Sequence, residues 1–389
     1  MLKRPKRLTI LGSTGSIGKS ALEVVRALGP GMEIVGLSAR ARTGDLCLQI
    51  REFKPRMVAV VEDVDGGIEK VCRETGTGLL RGRGGLDELA AYDEADLVLN
   101  AIVGAAGIDP TLAAIRARKD VAIANKECLV AAGGPVIGEA KRAGVHLIPV
   151  DSEHSAVFQC MIGEDRKAVR RIILTASGGP LVDKDRDALE RVTASEALRH
   201  PTWRMGPKVT VDSATLLNKG FEVIEAHWLF GLDADQIEVV IERKSIVHSL
   251  VEFVDGSLFA LLSAPDMRLP IQYALTFPER QAAQFSKLDL LETGTIAFER
   301  PDLERFPCLA LAYEALRLGG TAPAALSAAD EVAVAAFLDG RIGLGDIYRI
   351  LDGVLSAHPH GKLDSLEAVK EADGWARRAA LEMIEAKIR

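Results

Sequence analysis

Short apolar segments alternate with helix-length segments over the first 150 residues, and this rhythm constrains the fold more than any single motif. The apolar segments have the length of β-strands and lie at residues 7–12, 33–38, 57–61, 97–103, 121–125 and 146–150. Strands that are apolar along their whole length are typical of a sheet covered on both faces. The intervening segments, such as residues 16–28 and 109–118, have the length of helices. The alternation predicts an α/β domain with a doubly wound, parallel, Rossmann-like sheet.

The pattern changes after residue 150. A helix is predicted at residues 215–230, ended by Gly231, and a tight hairpin is predicted at Asp255-Gly256. The strands predicted in this part lie at residues 171–175, 208–211, 237–242, 246–254 and 257–263. They predict an α+β domain with an open, mostly antiparallel sheet. Helical patterns rich in alanine and leucine predict a C-terminal helical bundle from residues 308–318, 325–338, 344–356 and 365–388.

A glycine-rich loop joins the first predicted strand to the first predicted helix. Gly12, Gly15 and Gly18 allow a tight turn and a close approach of the backbone to a pyrophosphate, whose charge would lie at the helix N-terminus. The spacing is G-x-x-G-x-x-G, which is a weak signal alone, so the position between strand and helix carries the argument. It favours a dinucleotide site over a merely structural turn.

The end of the second predicted strand indicates which dinucleotide binds. NAD-binding sheets carry an acid there for the ribose 2′-hydroxyl. This chain has Arg40-Ala41-Arg42 instead. A guanidinium matches a 2′-phosphate, so the sequence predicts NADPH. The alternative is that both arginines are solvated surface residues.

Hard oxygen ligands and phosphate-binding groups are concentrated between residues 151 and 222. The carboxylates are Asp151, Glu153 and Glu222, and they suit Mg²⁺ or Mn²⁺, with Co²⁺ as a further option. Asp151 and Glu153 are two residues apart at the end of a predicted strand, so both are expected to face one side. Hydroxyls with Asn218 and Lys219 suit a phosphate. Together they predict a small phosphorylated or polyhydroxy substrate bound through a metal; the alternatives are a helix cap and a solvated polar face.

Composition narrows the remaining classes. The formal charge of −7 argues against a nucleic-acid partner. No uncharged apolar run approaches the roughly 20 residues of a membrane span, and the basic N-terminus lacks the apolar segment of a signal peptide. The five scattered cysteines are expected to be reduced thiols. A cytoplasmic protein that contacts neither nucleic acid nor membrane is predicted.

Five strings in register resemble the 1-deoxy-D-xylulose 5-phosphate reductoisomerase family. They are Val103-Gly104-Ala105-Ala106-Gly107, Asp151-Ser152-Glu153-His154-Ser155, the segment from His200 to Gly206, the segment from Asn218 to Ala226, and Ala264-Pro265-Asp266-Met267-Arg268. Asn125-Lys126-Glu127 after the fifth predicted strand fits the same pattern. The resemblance covers nearly the whole chain. It implies an NADPH- and metal-dependent enzyme that rearranges and reduces 1-deoxy-D-xylulose 5-phosphate to 2-C-methyl-D-erythritol 4-phosphate, an isoprenoid precursor.

The resemblance also implies a role for individual residues. The metal ligands would be Asp151, Glu153 and Glu222, and the catalytic groups these three with Lys126 and His200. The substrate ligands would be Lys126, Ser152, Glu153, Ser177, His200, Trp203, Ser213, Asn218, Lys219 and Glu222. The cofactor contacts would be Gly12, Thr14, Gly15, Ser16, Ile17, Gly18, Arg40, Ala41, Arg42, Asn125, Glu127 and Gly206. His154 is expected to be a structural neighbour of the metal, and Glu225 is the acid most easily mistaken for a ligand.

The family further implies a homodimer of three-domain subunits. The expected division is residues 1–150 for NADPH binding, 151–285 for catalysis with a dimerisation sheet and a lid, 286–305 as linker, and 306–389 as bundle. Three departures from the family pattern occur, at Arg40-Ala41-Arg42, at Glu242-Arg243 and at Leu326-Ser327-Ala328-Ala329-Asp330-Glu331. None of them removes a catalytic group.

Two other classes of function fit part of the sequence. A different NADP-dependent dehydrogenase on the same scaffold would need a nucleophile such as Cys128 or Cys160, and neither lies in a convincing motif. A non-catalytic NADP-binding regulator would leave the polar residues 151–222 unexplained. Metal-dependent oxidation of NADPH would distinguish the three classes.

Overall fold

A computed structural model of the chain describes residues 4–63, 66–203 and 205–388. Arg204, within one of the family strings, and the first three residues of the basic N-terminus lie outside this range. The chain divides into two compact units. The first comprises the described residues of Met1–Cys128, Val136–Ser155 and Asp266–Ser286, and the second those of Leu129–Pro135, Ala156–Pro265 and Lys287–Arg389. The predicted boundaries at residues 150, 285 and 305 stay predictions.

The strands of the described residues are β1 Lys6–Leu11, β2 Met32–Ala39, β3 Met57–Val60, β4 Gly78–Arg81, β5 Leu97–Asn100, β6 Asp120–Ile123, β7 Leu147–Pro149, β8 Val169–Ala176, β9 Ile237–Ile241, β10 Val247–Phe253 and β11 Leu258–Leu262. The α-helices are α1 Ser16–Leu28, α2 Thr43–Phe53, α3 Ile68–Thr75, α4 Gly82–Ala90, α5 Ile108–Arg116, α6 Glu127–Val130, α7 Gly133–Ala143, α8 Ser152–Cys160, α9 Arg186–Leu189, α10 Ala194–Ala197, α11 Pro207–Ala214, α12 Leu217–Phe230, α13 Arg268–Thr276, α14 Leu290–Thr293, α15 Cys308–Leu318, α16 Ala322–Leu338, α17 Leu344–Ala357 and α18 Leu366–Ile388.

The first unit is built on a seven-stranded parallel sheet of order β4-β3-β2-β1-β5-β6-β7. Its central strands are buried along most of their length, for example β5 at every position, because helices cover both faces. The predicted doubly wound sheet is therefore confirmed. Strand β4 was not predicted, since Gly78-Leu79-Leu80-Arg81 is short and follows a glycine turn at Gly76.

The strand order fixes where ligands can gather in this unit. The order reverses between β1 and β5, and such a switch point opens a crevice beyond the carboxyl ends of the strands. The glycine-rich loop follows β1, and the loop of residues 101–107 follows β5. Asn125-Lys126-Glu127 follows β6 and Asp151 follows β7. Four of the predicted polar or glycine-rich segments thus lie at one edge of the sheet.

The second unit contains a four-stranded sheet of order β11-β10-β8-β9. The β11–β10 and β10–β8 pairs are antiparallel, and β8–β9 is parallel, so the predicted mostly antiparallel sheet is confirmed. The hairpin turn contains Gly256, with φ +87°. Apolar residues of β8, β9 and β10 share one core with helices α12 and α15–α18. Helices α15–α18 are the predicted C-terminal helices.

One element of the second unit was predicted wrongly. Residues 208–211 were expected to form a strand, and they lie in helix α11. The run of β-branched residues in Val209-Thr210-Val211 suggested a strand. Gly206 at the N-cap and Pro207 at the first position of the helix are start signals that outweigh it.

No helix among the described residues is long and apolar enough to cross a membrane. The cytoplasmic location stays a prediction.

Candidate functional site

The glycine-rich loop of the first unit turns tightly between β1 and α1. Gly12 has φ +81°, and a Cβ atom there would lie 2.7 Å from the Ala101 carbonyl oxygen. A Cβ atom at Gly18 would lie 2.4 Å from the Gly12 carbonyl oxygen, so α1 packs directly on the turn. Both positions therefore require glycine for close backbone approach. Gly15, the N-cap of α1, has no side chain to bond the first helical N–H groups, which are free to meet an anion.

Buried polar contacts that the sequence did not reveal fix this loop. Ser38, at the end of β2, accepts the Gly12 N–H at its Oγ (3.0 Å) and the Ser13 N–H at its carbonyl oxygen (2.8 Å). Gln49 of α2 accepts the Ser13 hydroxyl at 2.6 Å and donates to the Ser13 carbonyl oxygen at 3.0 Å. Ser38 and Gln49 therefore fix the loop on its buried side, while Ser16 is exposed to solvent. Nothing in the spacing of Ser38 and Gln49 signals this role.

The two arginines at the end of β2 have different surroundings. Arg40 is 80% exposed at its side chain and pairs with Glu62 at 2.8 Å. Arg42 donates to the Thr14 carbonyl oxygen of the glycine-rich loop at 3.2 Å. Ala41 lies between them, half-buried. Arg42 is thus tied to the loop, whereas Arg40 reaches solvent and a surface acid.

Asn125 is buried and its amide serves the neighbouring loop. It donates to the carbonyl oxygens of Ile102 and Gly104 at 2.7 and 2.9 Å, and its Oδ1 accepts the Cys128 N–H at 2.7 Å. Its side chain therefore fixes residues 102–104 and the start of α6. Glu127, also predicted as a cofactor contact, is buried in the first turn of α6.

Lys126 and Asp151 form a close ion pair at the same edge of the sheet. The Lys126 ammonium lies 2.5 Å from Asp151 Oδ2, and both side chains are mostly buried. The other oxygen, Oδ1, accepts the Glu153 N–H at 3.2 Å, and the buried imidazole Nδ1 of His154 lies 3.6 Å from it. The Asp151 carboxylate is therefore surrounded by an ammonium group, a backbone N–H group and an imidazole.

Asp151 and Glu153 meet for a different reason from the one predicted. Strand β7 ends at Pro149, so alternation along a strand does not apply. Asp151 precedes helix α8, and Glu153 lies in its first turn. A carboxylate oxygen of each lies within 4.8 Å of the other, which is close enough to share a cation. Ser152 donates its hydroxyl to Glu153 Oε2 at 2.6 Å.

In the second unit, helix α12 carries three of the predicted residues on one face. Asn218 Nδ2 donates to Glu222 Oε1 at 2.6 Å, and the Lys219 ammonium pairs with Glu222 Oε2. Lys219 and Glu222 are only 4% and 2% exposed. Leu216 before the helix adopts φ +60° although it is not a glycine, and this left-handed residue sets the corner between α11 and α12.

The segment after β8 turns sharply against the end of α11. Gly178 and Gly179 have φ +86° and +74°, and a Cβ atom at Gly179 would lie 2.3 Å from the Ser213 carbonyl oxygen. Ser177 and Ser213, both predicted substrate ligands, are therefore on adjoining backbone segments. Any side chain at Gly179 would separate them.

The hydrogen bonds of Ser177 and His200 determine the tautomer of the imidazole and the direction in which the hydroxyl donates. The ring Nδ1 of His200 accepts the N–H groups of Thr202 (3.1 Å) and Trp203 (2.9 Å), so it carries no proton. Its Nε2–H then donates to Ser177 Oγ at 3.1 Å, which also accepts the Gly179 N–H at 3.2 Å. With both lone pairs used, the Ser177 hydroxyl proton is left to donate to a ligand. Burial lowers the pKa of His200 to about 4, which keeps the ring neutral.

We expect this arrangement to weaken in acid. The pKa of His200 in the folded protein lies below its ordinary value of 6.5, so its contribution is complete above pH 6.5 and is lost as the pH falls toward 4. Protonation of Nδ1 would remove the acceptor for the amides of Thr202 and Trp203. Long-range ¹H–¹⁵N NMR of the imidazoles, with His200→Gln for assignment, should show an Nε2–H tautomer at pH 7 and a titration midpoint near 4. A midpoint near 6.5, or an Nδ1–H tautomer, would contradict it.

Each unit thus collects its own share of the predicted residues. The first unit brings the glycine-rich loop, Lys126, Asp151 and Glu153 to one sheet edge. The second unit joins Ser177 to His200 and to the Ser213 backbone, and Asn218 and Lys219 to Glu222. Gly206 is the N-cap of α11. The sequence did not reveal the buried partners Gln49 and Asn100 or the half-buried Lys208. Of these three, only Lys208, four residues before Asp212, gave a sequence signal.

Family models match three consecutive parts of the chain. The model of 1-deoxy-D-xylulose 5-phosphate reductoisomerase matches residues 8–133. The model of the 1-deoxy-D-xylulose 5-phosphate reductoisomerase C-terminal domain matches residues 147–230, and that of the DXP reductoisomerase C-terminal domain matches residues 262–379.

Individual relatives match over almost their full length. The chain is 52% identical over 382 residues to 1-deoxy-D-xylulose 5-phosphate reductoisomerase of Heliobacterium modesticaldum, covering 97% of each. It is 50% identical over 379 residues to a Bacillus thuringiensis enzyme of the same name, covering 97% of this chain and 98% of the relative.

Solved structures agree with these matches. The Zymomonas mobilis reductoisomerase in complex with NADPH superposes with a TM-score of 0.92 at 39% identity, covering 98% of this chain and all of that one. A DOX-P reductoisomerase in complex with NADPH, fosmidomycin and magnesium gives 0.93 at 41% identity, covering 98% of each.

Proposed function

The chain belongs to the 1-deoxy-D-xylulose 5-phosphate reductoisomerase family, and we propose from this membership that it converts 1-deoxy-D-xylulose 5-phosphate to 2-C-methyl-D-erythritol 4-phosphate with NADPH and a divalent cation. One observation carries the assignment to these residues. In each unit, a carboxylate predicted to hold the cation already lies against a lysine that is mostly or fully buried: Asp151 against Lys126, and Glu222 against Lys219. Adjoining acids and ammonium groups suit a cation and an anionic substrate held side by side.

NADPH would bind at the carboxyl edge of the parallel sheet. The turn at Gly12 and the uncapped start of α1 leave backbone N–H groups for the pyrophosphate, and no Cβ atom stands in the way. Arg42, held to the Thr14 carbonyl oxygen, is the nearer of the two arginines to this loop by its contacts. The loop of residues 101–107, fixed by Asn100 and Asn125, forms the other side of the crevice.

The divalent cation would be held by Asp151, Glu153 and Glu222. The donor set fits, because carboxylate oxygens of Asp151 and Glu153 are within 4.8 Å of each other and hard oxygen donors are what Mg²⁺ and Mn²⁺ require. Glu222 is almost completely buried, and its orientation is fixed by Asn218. Lys126 would then leave Asp151 and bind the substrate, as Lys219 would leave Glu222 for the phosphate.

The substrate's phosphate would be bound in the second unit by Ser177, Ser213, Asn218 and Lys219. Ser177 offers a hydroxyl proton, because its oxygen accepts from His200 and Gly179. Lys219 offers a buried ammonium, which interacts more strongly with a phosphate than an exposed one does. Ser152 and Trp203 complete the predicted substrate contacts.

The reaction then follows from these groups. A bound cation would supply Lewis-acid polarisation of the ketone, and NADPH would supply the hydride for reduction of the branched aldehyde that the rearrangement gives. Lys126 would donate to a substrate oxygen on which negative charge develops. The phosphate ligands keep the non-reacting end of the substrate fixed, so that binding energy positions the reacting carbons.

The test is turnover by the purified chain. We expect NADPH oxidation, followed by absorbance, on adding 1-deoxy-D-xylulose 5-phosphate with Mg²⁺ or Mn²⁺, and none after chelation of the metal. Formation of 2-C-methyl-D-erythritol 4-phosphate, checked by mass spectrometry and NMR, distinguishes this reaction from another dehydrogenase. Cofactor binding without turnover would indicate a regulator instead.

Cofactor preference provides a separate prediction. Replacing Arg40 and Arg42 by alanine should raise the KM for NADPH far more than that for NADH, because each contact between a charged group and the 2′-phosphate contributes about 1.5–3 kcal/mol at most. Arg42→Ala alone should give most of the effect, since Arg40 is engaged with Glu62. Steady-state kinetics with both cofactors measure it. Equal changes in the two KM values would remove the arginines from this role.

A homodimer is the proposed assembly, with β11 in its interface. This edge strand exposes Leu258, Phe259 and Leu262 to 50%, 47% and 38%, which is unusual for an uncovered strand edge. A second copy is the occupant that the family implies. Sedimentation equilibrium should give a dimer, and Phe259→Asp should shift it toward monomer while Leu48→Asp, at an exposed apolar residue of α2, should not. A monomeric wild type would reject the proposal.

A further inference from the structure

A buried charge cluster lies beneath the helices that carry the proposed phosphate ligands. The Lys208 ammonium, in the first turn of α11, lies 2.7 Å from Asp212 Oδ2 and 2.7 Å from Asp330 Oδ2. Both carboxylates are almost completely buried, and the lysine side chain is 18% exposed. The ammonium also lies 4.8 Å from the centre of the Phe221 ring, a favourable cation–π distance.

These contacts connect three helices through one side chain. Lys208 and Asp212 belong to α11, Phe221 belongs to α12, and Asp330 belongs to α16 of the C-terminal helices. Asp212 precedes Ser213, and Phe221 precedes Glu222 and follows Lys219 by two residues. A shift of Lys208 would therefore move both helices that carry the phosphate ligands.

The charge cluster is expected to contribute more to the placement of the helices than to stability. Removing charges from water costs several kcal/mol per ion, and buried ion pairs are often no more stabilising than apolar residues of similar size. The geometry of a buried ion pair is nevertheless specific, because each buried charge must lie next to its oppositely charged partner. A positively charged side chain shared by two acids and a ring defines one mutual placement of α11, α12 and α16.

We infer that Lys208, with Asp212 and Asp330, is a positioning element for the substrate phosphate: it fixes α11 and α12 so that Ser213, Asn218 and Lys219 converge on one anion. The inference rests on the proposed function. It assigns Lys208 no contact with substrate, cofactor or metal. Its effect is transmitted through helix placement, and a misplacement of about 1 Å can reduce an enzyme's rate by on the order of a hundredfold.

The experiment compares four proteins: wild type, Lys208→Met, Asp330→Ala and Lys387→Met. Lys208→Met keeps the length of the side chain and removes its charge. Asp330→Ala removes the ion pair from α16 to Lys208 and keeps both residues of the Lys208–Asp212 pair. Lys387→Met is the control, because Lys387 pairs with the buried carboxylate of Asp346 and so links α18 to α17 of the same unit.

For Lys208→Met we expect the KM for 1-deoxy-D-xylulose 5-phosphate and the inhibition constant of inorganic phosphate to rise about tenfold or more. The Kd for NADPH, measured by fluorescence, should change by a smaller factor than these two constants, because all the predicted cofactor contacts except Gly206 lie in the other unit. Asp330→Ala should change the same two constants in the same direction by a smaller factor. Lys387→Met should change neither, although all three variants lower the melting temperature.

The kinetic constants of the variants decide whether Lys208 has a positioning role. Unchanged KM and phosphate inhibition in Asp330→Ala and in folded Lys208→Met would overturn the inference, and so would equal changes in Lys387→Met, which would indicate general destabilisation. If Lys208→Met does not fold, Asp330→Ala alone decides. A wild type that turns over the substrate while these variants behave normally rejects only the positioning role; a wild type without turnover rejects the proposed function itself.

Discussion

Replacing Lys219 by alanine is expected to reduce kcat/KM for 1-deoxy-D-xylulose 5-phosphate by about two orders of magnitude. A hydrogen bond between a charged donor and a charged acceptor contributes about 1.5–3 kcal/mol, and each 1.4 kcal/mol is about a tenfold change in an equilibrium constant. Lys219 is only 4% exposed, so water cannot readily replace its ammonium group. Because the phosphate positions the reacting carbons, part of the loss should appear in kcat as well as in KM.

The same ammonium group pairs with Glu222, which adds a second consequence. Removing Lys219 takes away the cation that pairs with the buried Glu222 carboxylate and leaves its hydrogen bond from Asn218 in place, so stability should also fall. Thermal unfolding would separate this effect from the kinetic one. The Kd for NADPH should stay nearly unchanged, since the glycine-rich loop belongs to the other unit.

Lys184→Ala is the control for loss of an ion pair alone. Lys184 pairs with Glu196 at 3.2 Å in the same unit, with both side chains more than a third exposed, and such surface pairs contribute little. Its kinetics should match wild type. Near-normal turnover by Lys219→Ala at low substrate concentration would mean that Lys219 is part of a structural ion pair and not of a phosphate anchor.

The parts of the fold that the sequence predicted best are those where several local signals coincide. Helix α1 was expected at residues 16–28 and lies there, because an apolar face, a glycine turn before it and Gly29 after it all agree. Helix α15 was likewise predicted at its observed bounds. Helix α11 was not, since β-branched residues suggested a strand while its stabilising contacts, from Lys208 to Asp330, are 122 residues apart in sequence. Local patterns do not encode such contacts.

In the candidate site, too, local residue types were predictable and the contacts between distant residues were not. Asp151, Glu153 and Glu222 were found as residue types that suit a cation, and the family resemblance put them in one set. The partners that orient them were not evident. The hydrogen bonds of His200 with the amides after it, the left-handed turn at Leu216 and the close approach of Gly179 to Ser213 depend on backbone geometry. Which of several serines has a hydroxyl proton to donate depends on these hydrogen bonds, which sequence patterns do not encode.

Replacing Glu222 by glutamine is expected to raise the Mg²⁺ or Mn²⁺ concentration required for half-maximal turnover by at least about tenfold, with excess metal restoring part of the rate. The substitution keeps the size of the side chain and an oxygen that can accept from Asn218 Nδ2. It removes one of three negative charges in the proposed ligand set, and hard cations bind an amide oxygen more weakly than a carboxylate. Metal titrations of the initial rate at saturating NADPH measure the effect.

Glu225→Gln is the control that makes this result specific. Glu225 lies three residues further along α12 and is nearly as buried as Glu222, at 4% against 2% exposed, so both substitutions remove a buried acid from one helix. If burial of charge were the cause, both variants would respond alike. If Glu222 is the ligand, Glu225→Gln should change stability while leaving the metal requirement close to that of wild type. A larger metal requirement in Glu225→Gln than in Glu222→Gln would mean that the ligand on this helix is Glu225, and that the cation lies one turn further from Asn218 and Lys219 than we propose.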